Sequence, residues 1–313
     1  MDEASASGRA AVARVAAAVG GTGVLDRLAA LSGSDFTSLM LEVARRRAAS
    51  QTPAEIMRRY RSDRFARPAD TPWRDLRRAE EVLARGLPPE FELLTLAPLV
   101  PLGTHSALGP VSQDKVVTAM RAGEVAADPT NALALEAAVR RLADSASRVR
   151  LAAFQRVVRA QPTQPGFFPH FSLLGLVTAG RDRGGRAFER ESVTAHLRAM
   201  TAGLAAGELR VIQVALTPLS AAGGAIAAAV LADLAAPGFE VIIDNDRQSG
   251  RGYYRDLCFK LNVEVEGHWQ EVGDGGFTDW AARLTASNKE RLLISGLGID
   301  RVAAFMAAVP VNR

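Results

Sequence analysis

The 313-residue sequence has a single cysteine, Cys258. No internal disulfide and no cysteine-based metal centre can be built from one thiol, which fits a reducing cytosol. Lysine is nearly as scarce. Lys115, Lys260 and Lys289 stand alone among 38 basic residues, so the net charge of +4 is carried by arginine. Heavy use of Arg and Ala reflects genome composition and is no argument for nucleic-acid binding. The four histidines, His105, His170, His196 and His268, are scattered without metal-ligand spacing. They predict no metal site and are expected on the surface or in loops. No apolar run approaches the ~20 residues of a membrane span. Asp2, Glu3 and Arg14 make the N-terminus a poor signal peptide, so a cytoplasmic location is expected. Neither Gly184-Gly185 nor Gly223-Gly224 has the spacing of a phosphate or dinucleotide loop.

What is present is a globular composition, 48% hydrophobic and 23% charged, with ample core for one large domain and a small one. Residues 1–66 read as a helical extension. Short helices are expected over Ala10–Val19 and Val24–Leu31, and a third begins at Ser34 or Asp35. Thr52-Pro53-Ala54-Glu55 has capping-box form with proline at the first helical position, and opens a fourth. Arg45-Arg46-Arg47 and Arg58-Arg59 read as solvated helix faces; contact with RNA or an acidic carrier protein is the alternative.

Residues 67–313 hold the second region. An amphipathic helix is expected from Pro72 to Arg85, a strand from Phe91 to Leu96, and a surface loop from Thr104 to Asp114. A strand-turn-strand should lead to Asp128-Pro129-Thr130-Asn131 and a helix over Asn131–Leu142. The chain is organised around Arg150–Gly180, where the apolar runs Leu151–Arg159 and Leu173–Ala179 flank a Pro/Gln/Gly loop and the aromatics Phe167, Phe168 and Phe171. Two strand-like runs joined by such a loop predict an antiparallel pair. Further on, helices are expected over Ser192–Ala205 and Gly223–Leu234. Strands are expected over Arg210–Leu216, Phe239–Ile243 and Tyr253–Val265, and a strand-to-helix segment at Leu292–Val302.

Arg159-Ala160-Gln161, the loop, and Phe171-Ser172-Leu173-Leu174-Gly175 together resemble motif 2 of the class II aminoacyl-tRNA synthetases, in the form of the histidyl-tRNA synthetase branch. Residues 72–98 resemble motif 1, the dimer-forming element, and Leu292–Val302, with Gly296, Gly298, Asp300 and Arg301, resembles motif 3. Gly250–Tyr254 resembles the substrate motif of that branch, and Gly273–Phe277 resembles its Gly-Gly-Arg-Tyr turn, where backbone approaches the ligand. The resemblance implies an α+β fold: a mostly antiparallel sheet flanked by helices, behind a helical N-terminal extension. It also implies Mg²⁺-ATP as cofactor, with Arg159 and Arg301 as catalytic, phosphate-facing cations and with Gln161 and Phe171 at the adenine. Thr130, Leu173, Val177, Tyr254 and Gly275 fall where the branch binds its amino acid. Only proline matches the Arg-Pro-Glu-Gly-Thr motif in register, at Pro129. Leu173 and Val177 replace polar residues, so histidine is not the expected substrate: its ammonium or imidazole would be left without a partner. The branch's catalytic arginine falls near Ser249, with Arg247 or Arg251 able to reach the same space. About a dozen residues follow motif 3, so anticodon recognition is not expected.

Two functions follow. One is ATP-dependent activation of a small amino or carboxylic acid as an acyl-adenylate, for a non-tRNA or carrier acceptor, by a homodimer. The other is a non-catalytic subunit like the regulatory subunit of ATP phosphoribosyltransferase, working with a partner enzyme.

Overall fold

The computed structural model describes residues 3–109, 111–160, 168–182, 184–234 and 240–308. The chain forms two compact units, Met1–Asp63 with Thr118–Gly123, and Arg64–Val117 with Glu124–Arg313. In the first lie four helices: α1 (Glu3–Ala18), α2 (Gly23–Ala29), α3 (Gly33–Ala49) and α4 (Pro53–Ser62). α3 is capped two to three residues earlier than expected, by Ser32, whose hydroxyl accepts from the Asp35 amide. α4 opens on the expected capping box between Thr52 and Glu55.

In the second unit an amphipathic α5 (Trp73–Gly86) leads into short strands β1 (Glu92–Leu93) and β2 (Leu99–Pro101). The expected surface loop contains a short helix, α6 (Thr104–Leu108), and buries His105 and Leu108. β3 (Thr118–Ala119), which belongs to the first unit, and β4 (Gly123–Val125) are far shorter than the expected strand-turn-strand. Asp128 caps α7 (Pro129–Ala143), with proline where no amide partner is needed. The predicted hairpin forms as β5 (Val149–Val158) and β6 (His170–Arg181), in register from Val149↔Ala179 to Val158↔His170. Then come α8 (Ala187–Ala206), β7 (Ile212–Pro218), α9 (Ala221–Asp233), β8 (Glu240–Ile243), β9 (Arg255–Val265), β10 (His268–Thr278), α10 (Trp280–Thr285), β11 (Glu290–Gly298) and α11 (Ile299–Ala308).

Eight of the strands make one sheet, ordered β1-β5-β6-β11-β10-β9-β7-β8 among the described residues. Only β1/β5 and β7/β8 pair parallel. α5, α8, α9 and α11 bury one face of this sheet, with Leu83, Phe188, Leu197, Ile226 and Val302 packing on Leu176, Phe259 and Leu297. α5 and α8 approach so closely that a Cβ on Gly86 would lie 2.3 Å from the Gly203 nitrogen. The other face is only partly covered. α7 and α10 pack Leu133, Ala137 and Trp280 on Leu151, Val177, Cys258 and Ile294. Arg141 of α7, almost fully buried, is bidentate on Glu290 of β11 at 2.8 and 3.0 Å, and Arg181 adds a third bond to that carboxylate. Towards the opposite ends of the strands this face carries polar side chains and bare glycines.

Candidate functional site

The partly covered face is read through strand register, since paired residues in a sheet point to the same side. One row runs Gly175 (β6), Gly296 (β11), Asp274 (β10), Lys260 (β9). The next holds Leu173 opposite Gly298, and Glu271 opposite Asn262. Gly175 lies under the first turn of α7, where a Cβ would come 2.8 Å from Pro129. Gly298 has only ordinary contacts at 3.8 Å around its missing Cβ. This part of the floor is backbone.

Asp274 is the central charge of the row. Its Oδ2 accepts from the Tyr254 hydroxyl and from Arg247 Nη2, both at 3.2 Å, and its side chain is 43% exposed. Surrounding protein pushes the Asp274 pKa up, against the pull of Arg247, and the negative charges of Glu271 and Asp128 add to the rise. Arg247, with a side chain only 3% exposed, is fixed by its own loop. Its amide donates to Asp244 and its Nε to the Ser249 carbonyl, while Nη1 has no protein acceptor. Arg251 donates instead to the carbonyls of Arg247 and Asn245, so it braces the loop and leaves Arg247 in the space that sequence reasoning had left to either. Tyr254 is buried with its ring 5.9 Å from the Arg247 guanidinium carbon, and Tyr253 packs edge-on against Tyr254 and Trp280. Burial, then Asp274, holds the Tyr254 phenol far above its usual range, so it stays a donor.

A second charged group lies past the end of β5. The Arg159 guanidinium sits 5.1 Å from the Phe171 ring, donates from Nε to the Ala127 carbonyl at 3.1 Å, and lies 3.4 Å from Asp128 Oδ2. Asp128 also accepts from the Thr130 amide and hydroxyl. Lys260 and Glu271 pair at 2.6 Å, and Arg301 donates to the Glu271 carbonyl.

The structure thus brings Arg159, Phe171, Leu173, Thr130 and Tyr254 to one side of the sheet, with Arg301 at its edge. Gln161 lies outside the described residues. Val177, expected at the amino acid, is fully buried beneath α7. Gly273–Phe277 is no turn but the middle of β10. The missing Cβ of Gly275 points at Phe259 (2.5 Å) and Ser295 (2.6 Å), so this glycine relieves crowding on the helix-packed face. The histidines are not all superficial either, since His105 and His196 are buried. Asp300, the motif 3 acid, accepts from the Ser172 amide at 2.6 Å and from the Thr71 hydroxyl, so it braces α11 on β6. Asp274 and Asp128 lie in segments that sequence reasoning singled out, Gly273–Phe277 and Asp128–Asn131, but neither acid matches a residue that the branch uses. Only their placement opposite arginines distant in sequence marks them. A cavity of about 700 Å³ opens at the Thr278 end of β10 and takes Tyr254 and Arg251 into its lining.

No protein-family model matches the sequence, and no curated protein matches it. The structure is similar to an ATP phosphoribosyltransferase regulatory subunit/histidyl-tRNA synthetase from Bacillus halodurans C, with 14% identity, a TM-score of 0.59, and coverage of 77% of this chain and 83% of the other. Apo histidyl-tRNA synthetase from S. aureus gives 10% identity, a TM-score of 0.58 and coverage of 78% and 74%. A histidine–tRNA ligase subunit from Alicyclobacillus acidocaldarius gives 14%, 0.56, and 77% and 97%. At such identities it is the fold that is shared: this chain carries the class II aminoacyl-tRNA synthetase catalytic fold, in the form seen in histidyl-tRNA synthetases and a related regulatory subunit.

Proposed function

We propose that the open sheet face binds a small amino or carboxylic acid between Arg247, Asp274 and Tyr254 and activates it as an acyl-adenylate. The observation that carries this reading is the buried Arg247, whose Nη1 has no protein acceptor beside the half-exposed carboxylate of Asp274. A buried donor left unpaired costs about 1–3 kcal/mol, which an acid's carboxylate would recover. Asp274, already bonded to Tyr254, is placed to accept from an ammonium. On the nucleotide side, Phe171 offers a ring face and Gly296 and Gly298 a floor without side chains. Arg159 offers a planar cation suited to two phosphate oxygens. Bound Mg²⁺-ATP would supply the α-phosphorus that the acid's carboxylate attacks, with pyrophosphate leaving. Arg159 would neutralise charge that develops there, on exchanging its 3.4 Å contact with Asp128 for a phosphate. Arg301 stands at the edge of this space. Leu173, half-buried on the open face, disfavours histidine as the acid.

A second reading, a non-catalytic ligand-binding subunit that serves a partner enzyme, is favoured by the hold of Asp128 and the Ala127 carbonyl on Arg159. The regulatory-subunit part of one structural neighbour's description points the same way. ATP–pyrophosphate exchange across a panel of amino and carboxylic acids separates the two. Exchange that depends on one acid, and is lost in Arg247→Ala and Arg159→Ala, supports activation. Calorimetric binding of an acid without exchange, and without Mg²⁺-ATP binding at millimolar nucleotide, leaves the regulatory reading standing.

A further inference from the structure

Behind Arg159 lies a chain of buried hydrogen bonds to which no role has been given. Glu124 of β4 is fully buried, and His105 of α6 is 1% exposed. Glu124 Oε1 accepts from the His105 amide at 2.9 Å and faces His105 Nδ1 at 2.6 Å. Glu124 Oε2 accepts from the Gly103 amide at 3.1 Å and from Gln113 Nε2 at 2.8 Å, so the carboxylate is held on all sides by donors. On the other edge of the imidazole, Nε2 lies 2.9 Å from the Ala127 amide nitrogen. A backbone amide can only donate, so Nε2 is the acceptor and carries no proton. The ring proton is therefore on Nδ1, directed at Glu124. An imidazolium or the opposite tautomer would set two N–H groups against each other. One neutral tautomer satisfies both contacts.

The residue held in this way, Ala127, and the one after it carry both contacts of Arg159. The Ala127 carbonyl accepts from Arg159 Nε, and Asp128, the next residue, faces Arg159 Nη2 while it caps α7. The route runs Glu124, His105, Ala127 amide, Ala127 carbonyl and Asp128, then the guanidinium over Phe171. A histidine orients better than an aliphatic residue here, because its plane and both ring atoms are fixed by two partners.

We propose that His105 is a positioning residue: as a neutral, Nδ1-protonated imidazole locked by Glu124, it fixes the Ala127 amide and, through the Ala127 carbonyl and Asp128 that follow, the guanidinium of Arg159. Its importance for ligand binding rests on reading the open face as the ligand site; the link itself does not.

Two substitutions divide the ring. In His105→Asn the amide nitrogen replaces Nδ1 and keeps the bond to Glu124, but the Ala127 amide loses its acceptor. In His105→Gln the side-chain oxygen replaces Nε2 and keeps that acceptor. Amide hydrogen exchange at Ala127 should quicken about tenfold in the Asn variant and stay within about threefold in the Gln variant, the loss of one buried hydrogen bond. Arg159 Nε–H exchange should follow, as should affinity for Mg²⁺-ATP. If the exchange pattern appears but the wild type binds no nucleotide, the positioning link stands and the nucleotide reading falls. If the Asn and Gln variants exchange alike at Ala127, the link is overturned. The ¹⁵N spectrum of wild-type His105 decides the matter even if a variant does not fold. The Nδ1–H tautomer is expected, and an Nε2–H form or an imidazolium overturns the proposal.

Discussion

A guanidinium taken out of water must find acceptors, and the identity of those acceptors says what an arginine is for. Arg141 is saturated by Glu290 and by carbonyls of the Asp144–Ser147 segment, and so is structural. Arg247 is equally buried but keeps an unfilled donor. Arg247→Ala should therefore weaken binding of the acid ten- to a hundredfold, the worth of a charge-assisted hydrogen bond at roughly 1.5–3 kcal/mol. Arg247→Lys should recover little, because a point charge cannot meet Asp274 and the Ser249 carbonyl together. Titration calorimetry of the two variants with the acid found in the exchange screen checks this, and an undiminished Kd for Arg247→Ala would sink the assignment. His196 shows a different residue-scale effect. It is fully buried between Thr178 and Ser295, and burial, then the charge of Arg150, lowers its pKa from 6.5 to about 3. The folded protein keeps the ring neutral, whereas the unfolded chain takes a proton below pH 6.5. Its contribution is therefore complete above that pH and is lost as the pH falls towards about 3. Between pH 7 and pH 5 wild type should lose about 2 kcal/mol more unfolding free energy than His196→Asn. Parallel urea-denaturation curves for the two proteins would show that the ring is not the source.

At the scale of elements, α5 crosses α8 where Gly86 meets Gly203, and the sheet's helix-covered face is built on that approach. A Cβ on Gly86 would stand 2.3 Å from the Gly203 nitrogen and 2.6 Å from the Ala199 carbonyl, both backbone atoms that cannot turn aside. Gly86→Ala should cost about 1–3 kcal/mol through forced separation of the helices. The matched control is Gly224→Ala in α9, where nothing lies within 4 Å. That change should be neutral or stabilise by about 0.5–1 kcal/mol, since alanine has the better helix propensity. Urea midpoints measure both, and equal midpoints for the two variants would remove the close crossing as the explanation.

At the scale of the molecule, the segment resembling motif 1 exposes more apolar surface than a lone chain needs. Trp73 is 70% exposed, and Leu93, Leu99 and Leu102 are exposed further along the chain. α5 buries Ala79, Val82 and Leu83 and leaves Trp73 outside. A homodimer that buries this segment is the expected state, and light scattering at micromolar concentration should give about twice the mass of one chain. A monomer of undiminished thermal stability would remove that role from residues 72–101.

Much of the architecture was legible in the sequence because its signals are local. The capping box at Thr52, the proline after Asp128, the paired apolar runs Leu151–Arg159 and Leu173–Ala179, and the strand-to-helix step at Gly298 each act within a few residues. Tertiary structure decided the rest, since the deciding contacts join residues far apart in the chain. The glycines of β10 resemble a turn, yet Tyr254, Phe259 and Ser295 crowd the strand and demand them. Val177 became core because α7 lies over that part of β6, whereas Leu173, four residues earlier, faces the uncovered side. His105 looked like a loop residue until Glu124 and Ala127 enclosed it. Arg247 gained Asp274 only when the 244–254 loop folded back over β10. Periodicity fixes which residues can share a face, but which face stays open depends on strand order and on where the helices land, and no local pattern carries that.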